Sequence, residues 1–415
     1  MSELMTTRLG SPADAAERPA LPSPSWELLD RQSLRDPDLC RELRDLMERS
    51  GDFCLLHDPL WLGAGDDVVL EYPARSANAF YISRGKDGLI GYAPFTRGSR
   101  RLRFAIGELI LYRRRLRSFT LVHDLIADAG PATRRALTSE LLDVLARRLD
   151  PGDGIFLDGV PTDSLLVELV SSSAAQRRLL TVRLGDAFEH QFAKLPPTFR
   201  DYEAQLGSHS RLNLRHRRKK LSAHVGGELR AARFTDSAGV ATFVADAQKV
   251  SQTTYQWRLL GLGLRDAVEL RATLGSAARH GWLRSYILYC RGEPVAFMLG
   301  YLYRRTYHYM DVGYDPTWAQ WGVGSILQME VMKDLIEDPE RPEIFDFSTG
   351  YGDHKARFGN FSRSETNLLL LRKCPRNAIL VAAYRATLAM DKHASRWLNI
   401  LGLKAAIKRW VRQKA

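Results

Sequence analysis

The chain has 415 residues, of which 45% are hydrophobic and 26% are charged, and its formal net charge is +12. This length exceeds a single compact core, and the composition is that of a globular protein, so two domains are expected. No apolar stretch reaches the length of about 18 residues that a transmembrane helix needs, which argues against a membrane-spanning chain.

The N-terminal segment and the cysteines both indicate a reduced, cytoplasmic environment. Residues 1–25 are rich in Ala, Pro and Ser and lack the apolar core of a signal peptide, which predicts a disordered lead-in. The four cysteines, Cys40, Cys54, Cys290 and Cys374, are widely separated in the sequence. We therefore expect reduced structural thiols and no metal site.

The first half of the chain alternates predicted helices and strands. Apolar and charged residues interleave over 26–49, which predicts an opening helical region. A later helix is predicted at 131–149. The run 81–85, Tyr-Ile-Ser-Arg-Gly, resembles the run 288–292, Leu-Tyr-Cys-Arg-Gly, which predicts an internal duplication. Strands of the first half are predicted at 68–72, 79–82, 89–95, 102–111, 154–160 and 179–184.

A basic segment follows the junction between the two halves. Two prolines at 196–197 precede a predicted long helix over 198–221, which carries six basic residues within 211–220. Such a run is typical of a solvated helix face, but Arg211 and Arg215 are one turn apart and could hold one anion together. The later loop 253–258 contains Trp257 and Arg258. It either lines an acceptor pocket or simply connects two helices.

The densest pattern in the chain lies between 285 and 359. A hairpin over 285–303 and a strand over 306–312 lead to Gly322 and Gly324, which open an amphipathic helix. Glycines before a helix let the backbone approach a ligand, and the unpaired N–H groups of the first turn attract anions. The sequence therefore predicts a phosphate-binding turn at this helix.

This turn lacks the dinucleotide fingerprint and the P-loop signature. It resembles the acyl-CoA-binding loop of the GNAT superfamily, Gln/Arg-x-x-Gly-x-Gly/Ala, with Gly322 and Gly324 in both glycine positions. Ala319 stands where the family has a basic or amide residue, and Gln320 is one step away. Together with Gly-Tyr-Asp-Pro at 313–316 and the Phe-Asp-Phe strand and Lys-Ala-Arg-Phe-Gly run that follow, the region resembles the CelD/BcsL-type acetyltransferases, relatives of the FemAB aminoacyltransferases.

The resemblance implies an α/β fold of two GNAT-like halves, each a mixed, mostly antiparallel sheet flanked by helices. It implies a disordered segment at 1–25, an N-terminal half at 26–190, an acyltransferase domain at 191–375 and a helical tail at 376–415. The first half lacks the second glycine before its helix, so we expect it to be structural. Acetyl-CoA or another acyl-CoA would be the co-substrate, and its pyrophosphate would contact Gln320, Gly322, Val323, Gly324 and Ser325.

Candidate catalytic groups follow the next predicted strand, 343–347. Asp346 alternates with two phenylalanines, which predicts a raised pKa and a role as base, although it could instead cap the loop. His354 titrates near neutrality and is either a proton carrier or a surface residue. Lys355 matches the lysine that the FemAB relatives place near the acyl carbonyl, or it pairs with a carboxylate. Tyr351, in the same loop, is a candidate contact for the acceptor.

By the resemblance, the enzyme would acetylate a hydroxyl or amine of a sugar or exopolysaccharide precursor. The alternatives are a FemAB-like transferase that uses aminoacyl-tRNA and a non-catalytic binding protein with a degenerate GNAT fold. Residues 391–415 carry seven basic residues against one acid, interleaved with apolar ones. This tail either lies on an anionic membrane surface, the inner membrane in this case, or packs on the body. Nucleic acid is not expected as a partner, because the basic charge is concentrated in two places.

Overall fold

The computed structural model describes residues 26–51, 54–62, 77–107, 109–122, 124–128, 130–254, 263–264, 267–349 and 352–400. One mostly antiparallel sheet runs through this part of the chain and is flanked by helices. The structure confirms the predicted fold class, a mixed α/β protein with a mostly antiparallel sheet flanked by helices. None of the described helices is long and apolar enough to cross a lipid bilayer.

The sheet is built from strands of both halves. The first half contributes β1 (Trp26–Asp30), β2 (Ala77–Gly85), β3 (Gly88–Ile106), β4 (Leu109–Val122), β5 (Ile126–Ala127), β6 (Asp153–Pro161) and β7 (Leu179–Arg183). The later strands are β8 (Phe188–Lys194), β9 (Leu229–Phe234), β10 (Ser285–Cys290), β11 (Glu293–Tyr303), β12 (Thr306–Tyr314), β13 (Ile344–Asp346) and β14 (Phe361–Arg372).

Eleven α-helices lie in the described part of the chain. Those of the first half are α1 (Pro37–Ser50), α2 (Pro131–Arg148), α3 (Leu165–Val170) and α4 (Ser173–Gln176). The rest are α5 (Phe199–Gln205), α6 (Ser208–His224), α7 (Val240–Thr253), α8 (Ala267–Arg279), α9 (Val323–Ile336), α10 (Asp353–Phe358) and α11 (Pro375–Ile400).

Each half contains one parallel strand pair within its antiparallel surroundings. In the first half β4 pairs with β6, and α2 lies between them in the chain. In the second half β12 pairs with β13, and α9 lies between them. Parallel neighbours need a crossover connection, which the two helices supply. The two halves therefore repeat the same strand–helix–strand unit.

The halves are joined by an exchange of strands. The last strand, β14, pairs with β6 and β7 of the first half, whereas β8 pairs with β13 of the second half. β8 and β14 also pair with each other, which makes the sheet continuous. A shared apolar core reinforces the junction, because Trp61 of the first half packs edge-on against Tyr301 with ring centroids 5.4 Å apart.

Several predicted elements have different bounds in the structure. The helical region predicted over 26–49 is wrong at its start, because Trp26–Asp30 is a strand whose tryptophan Nε1 donates to the Leu137 carbonyl. The strand predicted over 102–111 is two strands, which turn at Gly107 with φ +59°. The helix predicted over 198–221 is two helices, because Leu206 is extended and buried. The strand predicted at 68–72 lies outside the described residues.

Candidate functional site

The site is organised around the point where β12 and β13 diverge. Their parallel pairing runs from Thr306 and Ile344 to His308 and Asp346, where β13 ends. β12 continues to Tyr314, and its register with β11 shifts next to Met310, which marks a β-bulge. Beyond His308, the edge of β12 that faces away from β11 pairs with no strand among the described residues. Backbone N–H groups on that edge are free to meet a ligand.

Consecutive residues of β12 serve cavities on opposite faces of the sheet, because side chains alternate along a strand. Tyr309 lines a cavity of about 360 Å³ beside α9. His308 lines a cavity of about 920 Å³ between the two halves of the molecule. We call the first the glycine-turn pocket and the second the cleft.

The glycine-turn pocket contains the N-terminus of α9. Gly322 precedes the helix with φ +69°, a left-handed conformation that favours glycine, and no side chain caps the helix. The N–H groups of Val323, Gly324 and Ser325 therefore have no partner within the helix and form an anion site. Gly322 and these three residues all line the pocket.

Two further polar groups complete this pocket. A Cβ atom added to Gly322 would lie 2.8 Å from Nη1 of Arg217, so the guanidinium of α6 sits directly beside the helix N-terminus. Gln328 of α9 is only 3% exposed, and its Nε2 has no hydrogen-bond partner among the described residues. A buried amide donor without a partner is costly, so both groups suit a ligand that carries phosphate and amide oxygens.

The short helix α10 places the predicted His354 and Lys355 beside the same pocket. Nε2 of His354 lies 3.2 Å from the Tyr309 hydroxyl, and His354 lines the pocket. Lys355 is buried, and its Nζ donates to the carbonyls of Ser348 at 3.1 Å and Thr349 at 2.9 Å. Burial lowers the pKa of Lys355. The lysine therefore holds the loop after β13 in place, which is a role that the sequence alternatives did not include.

The cleft is walled by both halves of the chain. Cys54, His57 and Pro161 line it from the first half, and Tyr303 and Asp346 line it from the second. Burial raises the pKa of the Cys54 thiol to about 12, so this cysteine is a poor covalent nucleophile at neutral pH. The four cysteines form no disulfide.

A buried chain of charged groups ends at the wall of the cleft. His190 donates from Nε2 to Oδ1 of Asp346 at 2.6 Å and from Nδ1 to Oε1 of Glu365 at 3.0 Å. Arg363 donates to the same Glu365 oxygen at 2.6 Å. Burial opposes the charge on His190, but the two carboxylates raise its pKa to about 9. At neutral pH the four groups therefore form a neutral set of two cations and two anions.

His308 extends this chain into the cleft. Its Nδ1 lies 3.5 Å from Oδ2 of Asp346, and its side chain is largely buried. Its Nε2 has no partner among the described residues. A carboxylate at Nδ1 favours the tautomer that carries a proton there, which leaves Nε2 as a proton acceptor. The arrangement resembles the base and orienting carboxylate of a catalytic pair.

A second carboxyl lies on β12 next to the bulge. Asp311 follows Met310, and its Oδ1 accepts the N–H of Val312 at 2.8 Å. Burial raises the pKa of Asp311 to about 6. A carboxyl that titrates near the operating pH is a second candidate base at the diverging strands.

The pKa direction that the sequence predicted for Asp346 is wrong. Burial would raise the pKa, but hydrogen bonds from His190 and His308 hold it well below the ordinary value for aspartate. The aspartate also accepts the Ser348 N–H at 2.7 Å, which is the loop-capping contact considered as the alternative. Asp346 is therefore a permanent anion that orients histidines.

The other predicted site residues lie elsewhere. Arg211 and Arg215 line a separate groove of about 250 Å³ between α6 and α9, and Arg215 makes a two-point contact with Glu203. Gln320 is exposed on the turn before Gly322 and does not line the pocket. Trp257, Arg258 and Tyr351 lie outside the described residues. Within the part of the chain that the structure describes, no group of three or more His, Cys, Asp or Glu side chains is placed to hold a metal ion.

Several residues of the site have no counterpart among the sequence candidates, among them Arg217, Gln328, His190, His308 and Asp311. Arg217 belongs to the basic run that the sequence analysis singled out, but it was not one of the two arginines named there. The two histidines had no local signal, because their carboxylate partners come from other strands.

Comparison with known proteins agrees with this geometry. Residues 208–356 match the model of a family described as an acetyltransferase (GNAT) domain. The matched segment contains the glycine-turn pocket of α9 and both His308 and Asp346. No curated protein sequence gives a significant match.

Among solved structures, FemX superposes with a TM-score of 0.54 at 11% identity, over 80% of this chain and 95% of FemX. The C-terminal domain of a putative lysylphosphatidylglycerol synthetase from Agrobacterium fabrum superposes with a TM-score of 0.47 at 12% identity, over 85% of this chain and 96% of that chain. A tandem GNAT protein from the clavulanic acid biosynthesis pathway superposes with a TM-score of 0.48 at 10% identity, over 85% of this chain and 99% of that chain. At such identities the likeness concerns the fold alone. The family match concerns residues 208–356, which are similar to a GNAT acetyltransferase domain.

Proposed function

We propose that this chain transfers an acyl group from acyl-CoA, with acetyl-CoA as the first candidate, to a hydroxyl or amine of a sugar or exopolysaccharide precursor. The observation that carries the proposal is that two cavities lie on opposite faces of the sheet at the point where β12 and β13 diverge. One contains an uncapped helix N-terminus, and the other is lined by His308, whose buried Nε2 has no hydrogen-bond partner among the described residues. The acetyl donor, the sugar acceptor and the CelD/BcsL kinship are all part of the proposal.

The glycine-turn pocket supports the donor assignment. Its three free N–H groups and Arg217 match a pyrophosphate, and the unpartnered Gln328 amide matches the amide oxygens of a pantetheine chain. The open edge of β12 beside the bulge can polarise a thioester carbonyl through backbone N–H groups. A thioester is already activated, so no covalent nucleophile on the chain is required.

The cleft supports the acceptor assignment. Its volume of about 920 Å³ admits a sugar-sized ligand, and both halves contribute polar groups to its wall. His308 Nε2 accepts the proton of the attacking hydroxyl or amine while Asp346 holds Nδ1–H. A new C–O or C–N bond forms at the acyl carbon and the C–S bond breaks. The departing thiolate takes a proton from the histidine or from solvent.

The test is titration of the purified chain with acetyl-CoA and with a charged tRNA, each at low and at raised salt. We expect acetyl-CoA to bind with a Kd in the micromolar range or tighter, about 8 kcal/mol at the micromolar end. Binding of tRNA should collapse at raised salt, as nonspecific phosphate contacts do.

The same titrations identify the alternatives. If acetyl-CoA does not bind and tRNA binding survives raised salt, the chain is a FemAB-like aminoacyl transferase. If neither ligand binds, the fold serves a non-catalytic role. The paired glycines favour coenzyme A, because a compact pyrophosphate needs close backbone approach, whereas an RNA stem is held over a wider surface.

A further inference from the structure

The long hairpin formed by β3 and β4 carries a surface that acyl transfer does not use. Residues 97–117 contain eight arginines and one acid, Glu108, which lies outside the described residues. The two strands pair in antiparallel register from Thr96 and Thr120 to Ile106 and Leu109 at the turn. We call the exposed face of this hairpin the arginine face and the residues at its turn the tip.

Four arginines form cross-strand pairs on the arginine face. Arg101 is directly opposite Arg115, and Arg103 is directly opposite Arg113. All four side chains are exposed, and none makes an ion pair with a described carboxylate. Like charges directly opposite on a sheet are destabilising, so folding alone gives no reason for this arrangement. An external anionic surface would remove the repulsion.

The tip next to these arginines is apolar. At the turn, Leu109 is 65% exposed and Leu111 is 54% exposed, whereas Tyr112 is the cross-strand partner of Phe104 and lies on the face that α11 covers. Large exposed apolar side chains gathered at one place mark an interaction site. The phosphate backbone of nucleic acid makes no favourable contact with exposed leucines. A lipid interface accepts leucine side chains, and its anionic headgroups attract arginine.

The other face of the hairpin is covered by α11, which fixes its orientation. Phe104 packs edge-on against Tyr384 of α11 with ring centroids 5.6 Å apart. At the turn, the Gly107 N–H donates to Asp391 at 2.6 Å. Asp391 is also the first residue of the basic stretch 391–415.

We propose that the arginine face and tip of the β3–β4 hairpin dock on the surface of an anionic lipid bilayer, with Leu109 and Leu111 entering the interface. The docking needs no transmembrane helix and does not depend on the acyl-transfer reaction. It is also distinct from any binding by the tail, which every variant below retains.

The test is co-sedimentation of the full chain with vesicles of phosphatidylcholine alone and of an equimolar mixture with phosphatidylglycerol. Wild type should pellet with the anionic vesicles only. A charge variant replaces each of the four arginines with Gln, and a tip variant combines Leu109→Ser and Leu111→Ser. The matched control removes the same charge from exposed positions elsewhere, with Gln in place of Arg147, Arg177, Arg200 and Arg271.

The charge variant should lose at least about tenfold in vesicle partition, since each arginine near an anionic surface contributes about fivefold. The tip variant should lose about fivefold or more, and the control should stay within about twofold of wild type. All variants should melt at or above the wild-type temperature, because only exposed side chains change. Equal losses in the control and charge variants would overturn the proposal and indicate a general effect of net charge.

Double-stranded DNA provides the second decisive measurement. If the tip variant binds vesicles as well as wild type does and DNA fully displaces the protein from vesicles, the proposal is overturned. The partner of the arginine face would then be a polyanion and not a lipid surface. Retained partition in the charge variant would also overturn the docking surface, because the arginines would then contribute nothing.

Discussion

The Nε2 atom of His190 lies 2.6 Å from Oδ1 of Asp346, inside the junction of the two halves. Asp346 in turn lines the cleft. His190 comes from β8 and Asp346 from β13, two strands that pair across the middle of the sheet. The contact therefore couples the stability of the junction to the electrostatics of the proposed acceptor site. Both can be measured separately.

We expect stability to fall as pH rises from neutral. The pKa of His190 is about 9 in the folded chain and near 6.5 when unfolded, so its charge stabilises the fold fully below pH 6.5. That contribution, about 3 kcal/mol, is lost as pH rises through 9. Urea unfolding at pH 6 and at pH 9.5 checks this. In the His190→Gln variant the free energy of unfolding should fall less between these two pH values. An equal fall in both proteins would contradict the prediction.

We expect His308→Ala to lower kcat by about 10²–10⁴-fold, because it removes the group that accepts the acceptor's proton. Affinity for acetyl-CoA, measured by calorimetry, should stay within about twofold, because His308 faces the cleft and not the glycine-turn pocket. A variant that keeps its kcat would shift the role of base to Asp311. A pH–rate profile that loses a transition near pH 6 in Asp311→Asn would support that reassignment.

Asp311→Asn should stabilise the fold at alkaline pH. Burial raises the pKa of Asp311 from 3.8 to about 6, so the carboxyl favours the folded state only while protonated. This contribution is present below pH 3.8 and is lost as pH rises through 6. The Asn variant should therefore exceed wild type by about 2 kcal/mol at pH 8, a value reduced for partial exposure, and match it near pH 3.5. Denaturant melts at the two pH values measure both.

Gly324→Asp should abolish acetyl-CoA binding while thermal melting shows that the fold survives. The new side chain adds a negative charge at the N–H groups of α9, where a Cβ atom would already lie 3.4 Å from the Tyr314 ring. Gly130→Asp is the matched control, because Gly130 precedes α2 in the first half with open space around it. Acetyl-CoA should bind the control normally. Undiminished affinity in Gly324→Asp would refute the assignment of the pocket.

Lys355→Met should cost about 1–3 kcal/mol of stability, because the carbonyls of Ser348 and Thr349 each lose a buried donor. Ser348 has φ +60°, a strained conformation for serine that the lysine helps to hold. Chemical denaturation measures the loss. Lys355→Met should also lower kcat if the lysine acts on the acyl group. Adding Ser348→Gly, which relieves the backbone strain, should then restore stability but not kcat.

The parts of the site that arise from local sequence were predictable. The glycine turn, its helix and the lysine loop lie within one continuous stretch, and turn residues and helix periodicity depend on near neighbours. Arg217 was missed within a run that was found, because the periodicity of α6 does not determine which arginine lies beside Gly322. The groove between these helices holds Arg211 and Arg215 instead.

The buried charge chain was not predictable from sequence. His190 and Glu365 are 175 positions apart, and only the pairing of β8 with β14 brings them together. The aromatic neighbours of Asp346 along its own strand indicated desolvation, whereas the histidines that lower its pKa lie on the two adjacent strands. The local sequence pattern indicates the secondary structure around a residue, but it does not identify the side chains on the neighbouring strands of the sheet.

The strand exchange also has a consequence for how the protein is made. β14 fills the place beside β6, yet the ribosome produces it about 200 residues later. Until then the edge of β6 that pairs with β14 is open. The first half therefore cannot complete its sheet before nearly the whole chain has been synthesised. A nascent chain that stops before Phe361 would leave two unfinished halves. Completion of the N-terminal part of the sheet therefore requires that translation has passed residues 208–356.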